Sequence, residues 1–290
     1  MRRDVRWERM FPDELGAALS DCPVCYLPYG LCEPHGPQNA LGMDALRAHA
    51  YAVRAAWEFG GIVAPPDYWH IHNFGIYAAW AESRIGQART WLSTIPPWLW
   101  FKNVCYQVCA ADALGFQAVV GLTGHAGPHS GDLAFVQDVL QRHVAARVCL
   151  VPCTQITDAV MPHAGAMETA LLWAVEPACV DVSRVPPSGT PGPHFAMAPD
   201  AGQADRQAGE RVLAGIVSEL VGIAKGLLAD YREPADGRAP VPFIEIERIW
   251  REEVEPELPN FHCMQQDRPG GGEPPPAEDS QWRLNWRVPE

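Results

Sequence analysis

Lysine is almost missing from this chain: Lys102 and Lys225 are the only two among 290 residues, so arginine carries nearly all the positive charge. No mechanism follows from that habit alone. Positive charge as a whole is also scarce, with 22 Lys plus Arg against 35 Asp plus Glu and a formal net charge of −13. An acidic surplus opposes non-specific binding to a phosphate backbone, so nucleic acid is not an expected partner. Residues 233–290 hold six Arg against thirteen Asp plus Glu, which places over half of the surplus in the last fifth and leaves the body only mildly acidic. No apolar run reads as the roughly 20-residue span that a bilayer requires, and no membrane partner is expected. Met1 to Trp7 carry charge with no apolar stretch behind them, unlike a secretory leader, so a cytoplasmic protein is expected. Missing too is any Gly-x-Gly-x-x-Gly or Walker-type loop after an apolar run, which ranks a nucleotide-binding α/β protein last.

Cysteine is not scarce, but its nine copies are an odd number in a large chain with no export signal, and they read as buried thiols rather than disulfides. Cys22-x-x-Cys25 has the spacing of a zinc knuckle, yet no second pair stands at finger distance. The chemistry lies elsewhere, in the run Leu27-Pro-Tyr-Gly-Leu-Cys-Glu33-Pro-His35-Gly-Pro-Gln-Asn-Ala-Leu-Gly-Met-Asp44. Pro34 biases Glu33 toward extended backbone, and residues two apart on an extended segment project to one side. One carboxylate oxygen and one imidazole nitrogen can therefore converge. Asp44 returns after a Gly-Pro turn at the start of a helical pattern, with two oxygens able to bridge two ions. Glutamate, histidine and aspartate together suit Zn, Mn or Fe.

The rest of the chain alternates strand and helix. Apolar runs predict strands at 24–29, 62–64, 118–122 and 147–151. Helical spacing links Met43, Leu46, Ala50, Val53 and Trp57 up to Gly60-Gly61, then Val104, Val108 and Ala111 over 103–114 with Gly115 as C-cap. It continues through Leu133, Val136, Leu140 and Val144, through Met167, Leu171 and Ala174, and through Val212, Ile216, Leu220, Ile223 and Leu227 over 203–231. Such alternation favours an α/β fold, a mostly parallel β-sheet sandwiched by helices on both faces. Its long loops would build a ligand pocket, and the aromatic-rich stretch 65–101, with His70 and His72, is either a substrate wall or an apolar cover. Residues 1–231 read as one domain. Residues 232–290, rich in Pro and Gly, read as an extension packing on the body or on a neighbouring subunit, with 243–254 a further helix or strand.

The first run resembles the opening signature of the creatininase (creatinine amidohydrolase) family, a Leu-Pro-x-Gly-x-x-Glu-x-His-Gly segment followed by Asp. Gly124-His125-Ala126-Gly127 and His163-Ala164-Gly165-Ala166-Met167-Glu168-Thr169 resemble its second and third signatures, in order. The resemblance covers about the first 230 residues. It implies a hydrolase with a dinuclear Zn, Mn or Fe centre and a metal-bridging hydroxide that cleaves a C–N bond in a small cyclic amide. Under it Glu33 and His125 serve one metal, His35 the other, Asp44 bridges, and His163 is the acid/base. It also implies a small-molecule substrate and a homo-oligomer, a hexamer in the family. Two departures stand out. The family's Asn-Gly-His-Gly-Gly-Asn reads Thr-Gly-His-Ala-Gly-Pro-His here, and the Glu two places past that His in creatininase is Gly127. The second metal then needs another carboxylate: Glu168, counted as metal ligand and catalytic residue, with His129 in reserve. That argues against creatinine as the substrate. A formamide, an oxidised inositol (a cyclic polyol ketone) or a non-catalytic metal-binding assembly role stay as alternatives.

Overall fold

The computed structural model describes residues 4–72, 85–86, 91–126, 130–235, 237 and 239–264. At its centre lies a four-stranded parallel sheet made of β1 (Val24–Tyr29), β2 (Ile62–Val63), β3 (Ala118–Thr123) and β4 (Arg147–Pro152), in the order β2-β1-β3-β4. In the register of the three long strands Cys25 pairs with Val119 and Val119 with Val148. Tyr29, Thr123 and Pro152 consequently end level with one another.

Side chains alternate across a strand, and two separate apolar clusters result. Cys25, Leu27, Tyr29, Val119, Val148 and Leu150 face one cluster, together with α1 (Pro12–Asp21), α3 (Pro97–Ala113) and α4 (Ser130–Gln141). Val24, Tyr26, Ala118, Val120, Leu122 and Val151 face the other, with α2 (Met43–Phe59), α5 (Ala166–Val175) and α6 (Arg206–Asp230). Helices thus cover both faces, as the alternation predicted. α7 (Phe243–Ile249) and the turns after it deliver Ile246, Ile249, Trp250, Val254 and Phe261 into the first cluster. Asp132 fastens that segment to the start of α4 by accepting the His262 and Cys263 N–H groups at 2.7 and 3.0 Å.

Some elements differ from the sequence reading. α3 starts at Pro97, six residues before the expected 103. Proline is tolerated in the first helical turn, where its missing N–H leaves no bond unmade, so the Pro-Pro pair that reads as loop is a helix start. Of the expected α2 stripe Met43 and Val53 are buried but Trp57 is 41% exposed, and the buried face turns instead onto Ala45, Ala48, Ala52, Ala55 and Ala56. Small side chains let that helix lie close on the sheet. α6 is apolar and long enough, by length and composition, to cross a bilayer. Its stripe of Leu213, Ile216, Leu220 and Ala224 is buried in the second cluster instead. All nine cysteines are free thiols, six of them buried. The helix-or-strand stretch 243–254 is helical. Phe74, Tyr77 and Trp80 of the aromatic loop, and the reserve ligand His129, lie outside the described residues.

Candidate metal centre

From β1 the chain crosses by α2 to β2 on one side, and from β3 by α4 to β4 on the other. Between the carboxyl ends of β1 and β3 the order reverses, and open α/β sheets bind ligands in such a crevice. Glu33 and His35 follow β1, and His125 follows β3. Asp44 enters from above, in the first turn of α2, where the helix dipole favours a carboxylate. Two glycines make that approach possible. A Cβ on Gly30 would stand 2.1 Å from the Ala45 nitrogen, and one on Gly124 2.1 Å from the Asp44 carbonyl oxygen. Both strand ends therefore press straight onto the helix start.

The four side chains meet. His125 Nδ1 lies 2.9 Å from Glu33 Oε1 and 3.3 Å from Asp44 Oδ2, while His35 Nε2 lies 3.4 Å from Asp44 Oδ1 and 3.8 Å from both Glu33 Oε1 and Glu168 Oε2. Ligand atoms of Glu33, Asp44 and His125, all buried, fall within 4.8 Å of one another, and so do those of Glu33, His35 and His163. His35 donates Nδ1–H to its neighbour's carbonyl, Glu33 O, at 3.1 Å. That bond fixes the tautomer and turns Nε2 toward the carboxylates. Burial would push both imidazoles down, but the carboxylates outweigh it: Asp44, Glu33 and Glu168 hold His35 up at about 9, and Glu33 and Asp44 hold His125 up at about 10. Burial would likewise raise Glu33, yet His125 and His163 bring it down to about 2.

A sequence-family model for creatininase, described as creatinine amidohydrolase, matches residues 8–223. The chain belongs to the creatininase family. No curated protein matches it in sequence. Among solved structures, a crystal structure of creatinine amidohydrolase superposes with TM-score 0.63 at 20% identity, covering 80% of this chain and 100% of that one. A manganese form of creatininase gives 0.62 at 20% identity over 78% and 99%, and a zinc–zinc form of a creatininase variant 0.60 at 20% over 78% and 99%. These likenesses establish the fold.

Creatininase-family proteins are metal-dependent hydrolases of small molecules, and the residues present here fit a divalent ion. Glu33, Asp44 and Glu168 crowd three carboxylates into a buried volume, and Arg47 is the one guanidinium or ammonium paired with them among the described residues. Asp44 Oδ2 and His125 Nε2 are buried without a well-aligned hydrogen bond among the described residues. Hard oxygen and borderline nitrogen donors in that mixture suit Zn, Mn or Fe.

The third signature of this creatininase-family chain closes the site. His163, half-buried, lies tilted over His35 with ring centroids 4.3 Å apart, and its Nε2 sits 3.1 Å from the Pro34 carbonyl. Next to it Ala164 takes the left-handed conformation, φ 53°, which costs a non-glycine residue about 1–3 kcal/mol unless its surroundings hold it. Two partners, one of them braced by Thr169, do so here. Glu168 Oε2 accepts the Ala164 N–H at 2.7 Å, Gln38 Nε2 donates to the Ala164 carbonyl at 3.2 Å, and Thr169 accepts from Gln38 and Asn39. Glu168 is thus brought to the centre with one oxygen on the backbone and the other, Oε1, 3.0 Å from Arg47.

Sequence reasoning passed over Arg47 altogether and left His70 and His72 without roles. His72 Nε2 stands 3.7 Å from Glu33 Oε2. His70 is a prop: its Nδ1 accepts the Ile71 N–H, so its Nε2–H donates to Thr123 Oγ1 at 3.1 Å, and Thr123 in turn donates to the His125 carbonyl. Burial drives His70 well below the usual histidine range, which keeps it neutral in that relay. The i, i+2 spacing of the pair hinted at His72, whereas nothing short-range announces Arg47.

Proposed function

We propose that this chain is a metal-dependent hydrolase that cleaves the C–N bond of a small cyclic amide, and that creatinine is not its substrate. The observation that carries the reading is the convergence of Glu33, Asp44 and His125, with His35 beside them, at the crevice between β1 and β3. A divalent Zn, Mn or Fe ion held there supplies Lewis-acid chemistry, polarising a carbonyl and acidifying water. Creatininase structures in manganese and zinc–zinc forms support that choice of metals. The departure at Gly127 from creatininase's second signature supports a different amide.

His163 moves the proton. With Nε2–H held against the Pro34 carbonyl, Nδ1 is the basic nitrogen, and the ring is half-exposed where substrate would enter. As an imidazolium it gives the Nδ1 proton to the departing nitrogen when the C–N bond breaks, and it recovers a proton from the attacking water. The ring contact with His35 and the pinned Ala164 turn hold the ring in place. The test is a panel of lactams, formamides and cyclic polyol ketones offered to Zn- or Mn-loaded protein. Ring opening of a cyclic amide, lost on chelation and in Asp44→Ala, is the expected result. Turnover that survives either treatment refutes the proposal.

A further inference from the structure

Arg47 is a permanent cation inside a site built for metal ions. It is 2% exposed, and its Nη2 lies 3.0 Å from Glu168 Oε1, 3.2 Å from Asp44 Oδ1 and 3.4 Å from the Gly124 carbonyl. The two carboxylates it holds are the two that a second metal would need, the bridging Asp44 and the substitute Glu168. Both Glu168 oxygens are already engaged, Oε1 by Arg47 and Oε2 by the Ala164 N–H. We propose that Arg47 stands in for the second ion, so that this centre takes one divalent metal, on Glu33, Asp44 and His125, rather than a pair.

Charge decides the count. With the imidazoles counted neutral, the form in which they bind metal, three buried carboxylates and one guanidinium, which stays protonated at any working pH, leave a formal charge of minus two. One divalent ion brings that to zero. A second would leave plus two, or plus one with a hydroxide anion counted in, and an uncompensated charge away from water is strongly disfavoured. Without Arg47 the balance shifts by one, and two ions with one hydroxide become neutral. The other convergence of donors, Glu33, His35 and His163, offers no independent second site. It reuses Glu33, and its other two members, His35 and His163, are imidazoles that bring no negative charge to balance a second dication.

The inference rests on the metal-centre reading, and the experiment separates the two. The intact chain is dialysed to equilibrium against Mn2+ or Zn2+, metal per chain is measured by mass spectrometry, and the Mn2+ form is examined by electron paramagnetic resonance. One ion per chain and the spectrum of an isolated Mn2+ are expected. Arg47→Met should take up a second ion and show a spin-coupled pair, while Arg47→Lys, which keeps the charge, should stay at one. Two ions in the native chain overturn the inference and spare the metal reading. No ion at all overturns both. A folded Arg47→Met that still binds one ion also overturns it, and should that variant fail to fold, the native stoichiometry and spectrum decide alone.

Discussion

Stripped of metal, the centre must hold itself together with protons, and that gives the protein an unusual pH dependence. Burial would lower His35 and His125, but the carboxylates around them hold the pair up at about 9 and about 10. In the unfolded chain both titrate near 6.5. A group raised on folding contributes stability that is complete below its unfolded pKa and is lost as the pH climbs through its folded one. The metal-free protein should therefore weaken steadily from pH 6.5 to 9. Both imidazoles draw on the same carboxylates, so one proton rather than two is the prudent count. One proton is worth about 1.4 kcal/mol per pH unit, or roughly 3 kcal/mol over that window. In a chain this long such a loss lowers the Tm by roughly 5–10 °C. Glu33 works in the other direction. Held down at about 2, its share is complete above the usual glutamate pKa and is lost only in acid, so it does not blur the alkaline slope. Thermal melts of chelator-treated protein at fixed ionic strength measure the effect. Asp44→Asn should flatten the slope by removing the carboxylate that both imidazoles face, and loading with Zn or Mn should flatten it by displacing the protons. A Tm that stays level or rises from pH 6.5 to 9 in the stripped protein would refute the reasoning.

Two further outcomes follow from the geometry. In Gly124→Ala the new methyl meets the Asp44 backbone oxygen at 2.1 Å, and backbone cannot swing aside as a side chain can. A loss of about 1–3 kcal/mol in urea denaturation, with weakened metal uptake, is expected; an unchanged midpoint would show that the strand end and the helix are not in such close register. His163→Gln should retain metal while turnover drops by about 10²–10⁴-fold. Loss of the metal instead would make His163 a ligand rather than a proton carrier.

The fold was largely legible because its strands are short apolar runs closed by glycine or proline, and its helices repeat with the right period. What escaped was set by neighbours distant in sequence. The stripe through Trp57 has correct helical spacing, and Met43 and Val53 on it are buried, but only the packing on the sheet reveals that the face turns toward the alanines and leaves Trp57 outside. Glu33, His35, Asp44 and His125 could be named in advance because each stands in a compact signature. Arg47 could not. Its partner Glu168 lies 121 residues away, and an arginine on a helix ordinarily reads as part of a solvated face. Glu168 shows the converse. A carboxylate in the first turn of α5 was open to several roles, and only coordinates reveal one oxygen on the Ala164 amide and the other on a guanidinium.

On the single-ion proposal, Arg47 lets one helix set both the place and the number of the ions. Residues three apart on a helix share a face, so Asp44 and Arg47 reach the crevice together, one turn apart. Gly30 and Gly124 let that turn sink onto the two strand ends until the Asp44 carboxylate stands between Glu33 and His125. The same descent buries Arg47 against Glu168. A ligand and a competing cation are therefore delivered by one rigid element, and neither can move without the other. Where position 47 is apolar, the Glu168 oxygen that faces it would be left without a countercharge, and in a buried site a metal is the most direct remedy. Where it is arginine, the countercharge is already covalently attached. On the single-ion proposal, the identity of one side chain on the first turns of α2 then decides between a paired and a single-ion centre.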